Sequence, residues 1–283
     1  MIAAVQMEIR RFIGENEANR LPDGSGPHFE EPLVGFAALD DPLFGRYKGI
    51  IGDFHLLPEE LFTASFGEAP AAGTVICWVL PIAEGVRRSN RPQLDLPSRQ
   101  WALTRTYGEA LNGALRRHLV TWLTERGYRA LAPQYAPQWQ EFADTPVGIA
   151  STWSERHAAY AAGLGTFSLN DGLITPRGIA HRLGSVITDL TLPATSRTAP
   201  DHRHNCLWFR EESCGRCISR CPVGAISHAG HAKGQCREYV YGTVSAAVAE
   251  RYAVTQTGCG LCQTRVPCEA QIPAGNKLAK VRP

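Results

Sequence analysis

The chain has 283 residues, of which 44% are hydrophobic and 20% are charged, a composition typical of a globular protein with a sizeable core. Its formal net charge of +2 does not indicate an acidic partner, so a nucleic-acid partner is not expected. No apolar run approaches the roughly 20 residues needed to span a membrane, and the first residues lack the apolar stretch of a secretion signal. The sequence therefore predicts a cytoplasmic protein with no membrane partner.

The first recognisable elements in chain order are a helix, a strand and a longer helix. A short helical segment is expected over 3–16, whereas little can be assigned between it and the first strand. β-branched and aromatic residues predict a strand over 74–80, in which Cys77 serves as a small buried residue. Leucines that repeat every four residues predict a long helix over 104–126 that ends at Gly127.

A second strong helix and several short strands follow. Thr152 and Glu155 have the spacing of a capping box, and Gly163 is placed as the C-terminal stop of that helix. A polar linker then leads into a cysteine-rich segment. The alternation predicts an α/β (or α+β) domain over 1–195 and a separate cysteine module over 196–283. The expected strands and linker lie at 128–132, 172–175, 185–190 and 191–205.

Eight of the nine cysteines are concentrated towards the end of the chain. They are Cys206, Cys214, Cys217, Cys221, Cys236, Cys259, Cys262 and Cys268. Clustered thiols in a reducing compartment are typically metal ligands, whereas disulfide-rich modules usually follow a secretion signal. Disulfides and zinc are the alternatives, because paired C-x2-C motifs also suit a tetrahedral zinc ion.

The spacing of the first motif favours iron–sulfur clusters over zinc. Cys214, Cys217 and Cys221 follow the pattern C-x2-C-x3-C-P, in which the cysteine before proline often crosses to a second cluster. A Val-Gly-Ala-Ile segment comes next, as expected for the stretch that packs between two clusters. The motif therefore predicts a ferredoxin-like module with two 4Fe–4S clusters.

The residues upstream of this motif differ from the usual arrangement. Glu211 stands where a further cysteine would be expected, so Cys206 is interpreted as the replacement ligand. Direct ligation by Glu211 is the alternative. His202 and His204 lie nearby, and their simplest interpretation is as polar linker residues.

The second motif completes two sets of four thiols. Cys259 and Cys262 form another C-x2-C pair, with one cysteine upstream and one downstream. The cross-ligation rule of two-cluster ferredoxins then assigns every cysteine of the segment to a cluster. One cluster takes Cys221, Cys236, Cys259 and Cys262, and the other takes Cys206, Cys214, Cys217 and Cys268.

Two segments before the cysteine module carry a resemblance to a known family. Tyr160-Ala-Ala-Gly-Leu-Gly165, followed by Leu173-Ile-Thr175, and Arg182-Leu-Gly-Ser-Val-Ile-Thr-Asp-Leu190 resemble the epoxyqueuosine reductase family, which is grouped with the reductive dehalogenases. The cysteine segments 214–226 and 258–263 resemble the cluster module of the same family. The resemblance covers most of the chain.

The resemblance implies a nitroreductase-like domain that holds base-off cobalamin beside two 4Fe–4S clusters. Glycines would let the backbone approach a large flat ligand, although by themselves they favour a helix cap and a turn. The positions that the resemblance implies for cobalamin are Gly163, Leu164, Gly165, Leu173, Thr175, Gly184, Ser185, Val186 and Thr188.

Several positions depart from the family pattern. Ile149 occupies the place where the family has an acidic residue proposed as the proton donor. The second cysteine motif is C-x2-C-x5-C-E rather than C-x2-C-x3-C-P, and the chain ends soon after Cys268, without a counterpart of the tRNA-binding helical repeats. These departures indicate a paralogue that acts on a small molecule.

The resemblance implies a cobalamin-dependent iron–sulfur reductase that receives electrons from a reduced ferredoxin or flavodoxin. Tyr107 is the first candidate for the proton donor, and Arg105 or Arg156 could lower its pKa. Core packing is the alternative for Tyr107, and helix capping is the alternative for Glu155. The alternative functions are an electron-transfer protein without cobalamin, an iron–sulfur enzyme with another organic cofactor, and an epoxyqueuosine reductase acting on tRNA.

Overall fold

The computed structural model describes residues 1–275, and a four-stranded sheet enclosed by helices is its main feature. The strands are β1 (Leu33–Ala38), β2 (Thr74–Pro81), β3 (Ala130–Leu131), β4 (Glu141–Phe142), β5 (Ala150–Ser151), β6 (Thr166–Phe167), β7 (Leu173–Ile174), β8 (His181–Thr188), β9 (Ile226–Ser227) and β10 (Gly230–His231). The α-helices are α1 (Ile2–Glu15), α2 (Pro42–Ile51), α3 (Pro58–Phe66), α4 (Glu84–Asn90), α5 (Arg99–Leu103), α6 (Glu109–Thr124), α7 (Glu155–Ala161), α8 (Leu207–Glu211), α9 (Arg216–Ser219), α10 (Lys233–Glu238) and α11 (Ser245–Tyr252). Two π-helical turns lie at Thr104–Gly108 and Tyr239–Val244.

β2 and β8 form the centre of the sheet, whose order is β1-β2-β8-β3. Every pairing in it is antiparallel, and Gly35 of β1 lies opposite Cys77, which lies opposite Ser185 of β8. All residues of β2 are buried, which explains its continuous run of apolar side chains. The fold is therefore α+β.

The two faces of the sheet carry separate hydrophobic cores. On one face Ile9 of α1 and Leu115 of α6 belong to the same core as Trp78 of β2. On the other face Phe44 of α2 and Phe62 of α3 share a core with α7 and with the alternate residues of β2. Because successive strand residues point to opposite faces, one strand supplies both cores.

The long predicted elements are confirmed, whereas three early elements were not predicted. The helix near the N-terminus and the central strand appear as α1 and β2. The predicted long helix begins earlier, at α5, passes through a π-helical turn and continues as α6 before Gly127, whose φ is +85°. β1, α2 and α3 were not predicted, because glycine, proline and small residues interrupt their patterns.

The start of α7 differs from the prediction. The side chain of Ser154 caps this helix by accepting a hydrogen bond from the NH of His157, whereas Thr152 bonds to the preceding loop. The predicted capping box of Thr152 and Glu155 is therefore wrong. The predicted stop is confirmed, since Gly163 has a φ of +71°, a conformation that glycine adopts without strain.

A third, smaller core lies beneath the cysteine segment. Leu169, Ile174 and Ile179 pack there with Ile226 and Val266. The residues around β7 therefore share a core with the cysteine segment, although they precede it in the chain. Packing in this region crosses the predicted domain boundary at 195.

The segment 191–205 has neither helix nor strand, as predicted. It is not detached from the sheet, because the NH of Thr195 donates to the carbonyl of Phe36 at 2.8 Å, along the edge of β1. Within residues 1–275, none of the helices has both the length and the apolar character that a membrane crossing requires.

Candidate functional site

Four cysteines line one pocket together with residues of the third core, and we call these cysteines the outer group. Burial, together with the thiols of Cys206 and Cys214, raises the pKa of Cys217 to about 12. Burial and the same neighbours also raise the pKa of Cys268. Ile174 is among the apolar residues around these thiols. The outer group consists of Cys206, Cys214, Cys217 and Cys268.

The remaining four cysteines of the segment form a second set, which we call the inner group. Burial is the main cause that raises the pKa of Cys259 to about 11, and the neighbouring thiols of Cys236 and Cys221 add to it. Burial, Cys259 and Cys236 likewise raise the pKa of Cys262. The inner group consists of Cys221, Cys236, Cys259 and Cys262.

The structure places four of the thiols around one pocket, and the assignment of all eight to two clusters stays a prediction. Cys217 also contributes to the raised pKa of Cys262, so the outer and inner groups adjoin. The NH of Ala225 donates to Cys221 Sγ at 3.3 Å. Within residues 1–275, no three Cys, His, Asp or Glu side chains are placed to hold a single metal ion.

The other sequence candidates near the cysteines lie elsewhere. Cys77 is fully buried in β2. Glu211 pairs with Arg210 at 3.4 Å and does not line the pocket that Cys206 lines. His202 contributes its main-chain carbonyl to a hydrogen bond with Phe167. The structure therefore places Cys206, rather than Glu211, beside the other thiols of the outer group.

The inner group adjoins His231, which connects it to residues near the sheet. His231 lies near the thiol of Cys236, and its Nδ1 lies 3.2 Å from a carboxylate oxygen of Asp171. Although burial opposes the shift, these two contacts raise the pKa of His231 to about 9. The main-chain carbonyl of Asp171 accepts a hydrogen bond from Arg156 at 2.9 Å. A chain of contacts therefore runs from the thiols to Arg156.

Arg156 lies at the surface between α7 and the residues before β7. Its side chain is exposed, and the surrounding protein lowers its pKa. Burial also lowers the pKa of half-buried His181 to about 4, and its Nδ1 has no partner among the described residues.

A network of buried charges, which we call the charged floor, lies beside the first residues of β8. Arg116 donates to Glu109 at 3.0 Å and to the carbonyl of Leu183 at 2.8 Å. Arg182 donates to the other oxygen of Glu109 at 2.6 Å. Arg116 also lies 3.3 Å from Glu155. The sheet edge at Leu183 is thus covered by side chains rather than by another strand.

The two acids of this network differ in their protonation. Although burial opposes the shift, Arg182, Arg116 and Arg105 lower the pKa of Glu109 to about 2. Burial raises the pKa of Glu155 despite the nearby Arg116, and neither of its oxygens completes a hydrogen bond of good geometry among residues 1–275. The environment therefore favours the charged form of Glu109 and disfavours the charged form of Glu155.

The π-helical turn before α6 carries two of the predicted catalytic residues. The hydroxyl of Tyr107 donates to the carbonyl of Ala253 at 3.0 Å, so it joins the sheet region to the cysteine segment. Arg105 lies near Arg182, and the repulsion between the two, with burial, lowers the pKa of Arg105 to about 10. Such turns are frequent at functional sites.

Most positions implied for cobalamin lie in the protein interior. Five have no exposed surface, namely Leu173, Thr175, Ser185, Val186 and Thr188. A ligand cannot touch these five residues in this conformation. The contacts with cobalamin that the resemblance implied for them are therefore not available here. The exposed part of β8 is its first three residues, His181 to Leu183.

The remaining four positions are also used within the protein. A Cβ at Gly184 would lie 2.4 Å from the Trp78 ring, and one at Gly165 would lie 2.4 Å from the carbonyl of Ile174. Gly163 packs against the backbone at 195–196, and Leu164 belongs to the core on the α2 side of the sheet. Close packing therefore accounts for these glycines.

Sequence reasoning missed the charged floor. Glu109, Arg116 and Arg182 were not proposed as site residues, and Glu155 was interpreted as a cap. One signal was available, because Arg116 lies beside the leucine stripe of α6 and a charged residue so close to a buried face needs a buried partner.

Comparisons with known proteins give a clear result only at the level of structure. No protein-family model matches the chain, and no curated protein matches it. Three solved structures of epoxyqueuosine reductase are similar to it. The enzyme from Bacillus subtilis, with its catalytic loop swung out of the active site, has a TM-score of 0.52 and 17% identity over 94% of this chain and 66% of that one.

The other two structures are comparably distant in sequence. A selenomethionine-labelled epoxyqueuosine reductase has a TM-score of 0.51 and 18% identity over 95% of this chain and 66% of that one. An epoxyqueuosine reductase with an epoxyqueuosine-modified stem loop of tyrosine tRNA has a TM-score of 0.47 and 18% identity over 94% and 66%. The chain spans about two thirds of the length of these proteins. It has the fold of the epoxyqueuosine reductases.

Proposed function

We propose that this chain is an iron–sulfur oxidoreductase with two 4Fe–4S clusters and a cofactor-binding cleft. The observation that supports the proposal is the concentration of eight cysteines within residues 206–268, of which Cys206, Cys214, Cys217 and Cys268 line one pocket. Eight thiols are the ligand count for two cubes. The proposed cleft lies beside Arg156 and His181. Zinc is disfavoured, because the C-x2-C-x3-C-P spacing followed by Val-Gly-Ala-Ile is typical of iron–sulfur proteins.

The arrangement of the two groups supports a direction for electron flow. Cys214 of the outer group lines an open depression together with Arg216 and Pro267. Cys236 of the inner group contacts His231 next to the cleft. A reduced ferredoxin or flavodoxin would therefore deliver electrons on the side of Cys214, and the inner group would pass them to the cleft.

Cobalamin is the cofactor that the resemblance implies for the cleft. Polar atoms without partners among the described residues, Arg105 Nη1 and His181 Nδ1, fit a ligand that carries many amide groups. When bound, cobalamin would supply a strongly reducing metal centre that no side chain can replace. Arg156 and His181 on the cleft wall would position it.

Glu155 is the residue that we propose as the proton source in the cleft. Its side chain is 15% exposed, and burial keeps its pKa above the usual value for a carboxyl group. A general acid needs a pKa close to the working pH, which a buried carboxyl group can provide. The hydroxyl of Tyr107, the sequence candidate for this role, is instead engaged with Ala253.

The substrate that we propose is a small molecule. Ile149 stands where the family has its acidic residue, and the net charge of +2 offers little attraction for RNA. The second candidate function is electron transfer without cobalamin. The burial of five implied cofactor contacts in the segments around β7 and β8 favours this alternative.

Anaerobic purification followed by absorbance titration tests the proposal. The protein should show the broad iron–sulfur absorption and should retain added hydroxocobalamin through gel filtration. An iron–sulfur spectrum without retention of the corrinoid would favour the electron carrier. Retention of an epoxyqueuosine-modified tRNA stem loop would overturn the choice of a small-molecule substrate.

A further inference from the structure

The basic residues of the chain are concentrated in the cysteine segment. Residues 196–283 contain 12 Lys and Arg but only six Asp and Glu, which gives a net charge of +6, whereas residues 1–195 have a net charge of −4. The net charge of +2 for the whole chain conceals this difference. A region with one predominant sign of charge attracts partners of the opposite sign and speeds their association. The asymmetry therefore indicates an acidic partner for the cysteine segment.

Two of these basic residues line the open depression beside the outer group. Arg216 and Arg265 are both exposed, and Cys214, which lines the same depression, is partly exposed. A partner that rests in the depression therefore meets two guanidinium groups next to a thiol of the outer group. The rest of the lining consists of small side chains and proline, namely Ser213, Gly215, Ser219, Val266 and Pro267.

The acidic side chains nearby in the chain are already paired with other arginines. Buried Glu269 forms an ion pair with Arg91 at 2.7 Å, and it accepts only the main-chain NH of Arg265, also at 2.7 Å. Glu211 pairs with Arg210 at 3.4 Å. Within residues 1–275, no ion pair engages the guanidinium group of either arginine of the depression. Both charges are therefore available to a partner.

The lining of the depression favours a protein over a nucleic acid. Single-stranded RNA is usually held by stacking its bases on aromatic side chains, whereas the described lining contains none. Small side chains let the surface of a partner come close to Cys214. Complexes that transfer electrons are typically small and transient, and complementary charges raise their association rate. A basic depression beside a cluster ligand has these properties.

We propose that this depression is the docking surface for an acidic electron-carrier protein, whose carboxylates pair with Arg216 and Arg265 while its redox centre lies beside Cys214. Arginine binds carboxylates through paired hydrogen bonds, which fixes orientation as well as position. One electron passes at each encounter, so the carrier is oxidised, the outer cluster is reduced, and no bond forms or breaks. The inference rests on the proposed function in taking the outer group as the ligands of the cluster that receives electrons.

Stopped-flow reduction of the anaerobically purified full-length protein by reduced flavodoxin and by reduced 2Fe–2S ferredoxin, two acidic carriers, tests the docking surface. The rate constant at low salt should fall at least about 10-fold in Arg216→Glu and in Arg265→Glu, because attraction becomes repulsion. Raising the salt from roughly 50 to 500 mM should slow the wild type and change the variants little, since salt screens exposed charges. Arg216→Lys and Arg265→Lys should keep most of the rate.

A matched control and an end-point measurement separate docking from damage to the clusters. Arg10→Glu reverses an exposed charge on α1, where Arg10 pairs with Glu31, and it should react as the wild type does. Iron content and the final absorbance change with excess dithionite should be the same in all variants, because neither arginine is a cluster ligand. Should Arg216→Glu lose iron, Arg265→Glu carries the test, since Arg265 lies further from the nearest cysteine in the chain.

The inference is overturned if iron-loaded Arg265→Glu is reduced as fast as the wild type, if neither carrier reduces the iron-loaded wild type, or if Arg10→Glu slows the reaction equally. Retention of a tRNA stem loop that both charge-reversed variants lose would overturn the choice of a protein partner. Calorimetry with the oxidised carriers does not depend on metal. Arginine-dependent binding to a preparation without iron would therefore refute the proposed clusters and leave the docking surface in place.

Discussion

The sheet region and the cysteine segment are stabilised by different means. The sheet lies between two cores built from large buried side chains such as Trp78, Phe44 and Leu115. The core beneath the cysteines is small, and α8, α9 and α10 contribute no buried residue to it. Apolar burial of about 25 cal/mol per Å² can hold the first region, but small modules usually need additional links. If the thiols hold the proposed clusters, we expect ligand binding to contribute to the stability of the segment.

The two regions are nonetheless joined by a polar seam. Buried Arg220 donates to the carbonyls of Gln93 at 2.7 Å and of Leu261 at 3.2 Å. Arg91 forms an ion pair with buried Glu269 at 2.7 Å. The sheet region therefore positions the cysteine segment that packs against it.

The largest expected effect is a loss of iron from the cysteine segment without a loss of secondary structure in the sheet region. In Cys262→Ala we expect iron to fall from about eight to about four per chain, because one cluster loses a ligand. The helical and strand signal of the sheet region in circular dichroism should persist. Cys77→Ala is the matched control, since Cys77 is buried in β2 and should not affect iron. Full iron content in Cys262→Ala would show that this thiol is not a ligand.

The second effect concerns the charged floor between the two regions. Arg116→Leu leaves Glu109 and Glu155 without their shared cation and should lower the free energy of unfolding by about 3–5 kcal/mol. Arg10→Leu removes an exposed pair with Glu31 and should cost at most about 1 kcal/mol. Urea unfolding measures both, and equal losses in the two variants would contradict the buried network.

The third effect makes the sheet region sensitive to acid. Burial lowers the pKa of His28 in the folded protein to about 4, whereas in the unfolded protein it is near 6.5. As the pH falls, the unfolded protein therefore binds the proton first. Stability is therefore complete above pH 6.5 and falls as the pH drops towards 4, by about 1–3 kcal/mol for one such histidine. His28→Asn should flatten this slope in urea titrations between pH 7 and pH 4.5, and an unchanged slope would contradict the assignment.

The smallest effect is expected at the contact between the two regions. Tyr107→Phe removes the hydrogen bond to Ala253 and should lower the free energy of unfolding by about 0.5–1.5 kcal/mol. If Glu155 supplies the proton, turnover should survive this change and should be lost in Glu155→Gln. Loss of turnover in Tyr107→Phe with unchanged stability would restore Tyr107 as the proton donor.

Local sequence patterns predicted the parts of the molecule that depend on local spacing. The strand around Cys77, the leucine-rich helix and the stop at Gly163 follow from periodicity and backbone preference. The partition of the thiols, which the spacing of the two motifs predicts, stays a prediction. β1 could not be predicted, because Gly35 and small residues weaken its pattern. Glycine is required at position 35, because the backbone at Ala162, directly after α7, passes close to it.

The charged floor could not be predicted, because it depends on tertiary contacts. Glu109 and Arg182 are far apart in the chain, and only the pairing of β8 with β2 and the packing of α6 bring them together. The burial of Ser185 likewise depends on Trp153, which donates to its hydroxyl at 3.0 Å from a different element. Residue types within one segment carry no information about such neighbours.

The most direct test of the central claim is the iron and acid-labile sulfide content of the anaerobically purified wild-type protein. Two cubes held by the outer and inner groups predict about eight irons and eight sulfides per chain. Zinc in place of iron, or metal-free thiols in a protein that is otherwise folded, would contradict the assignment of these cysteines to two 4Fe–4S clusters.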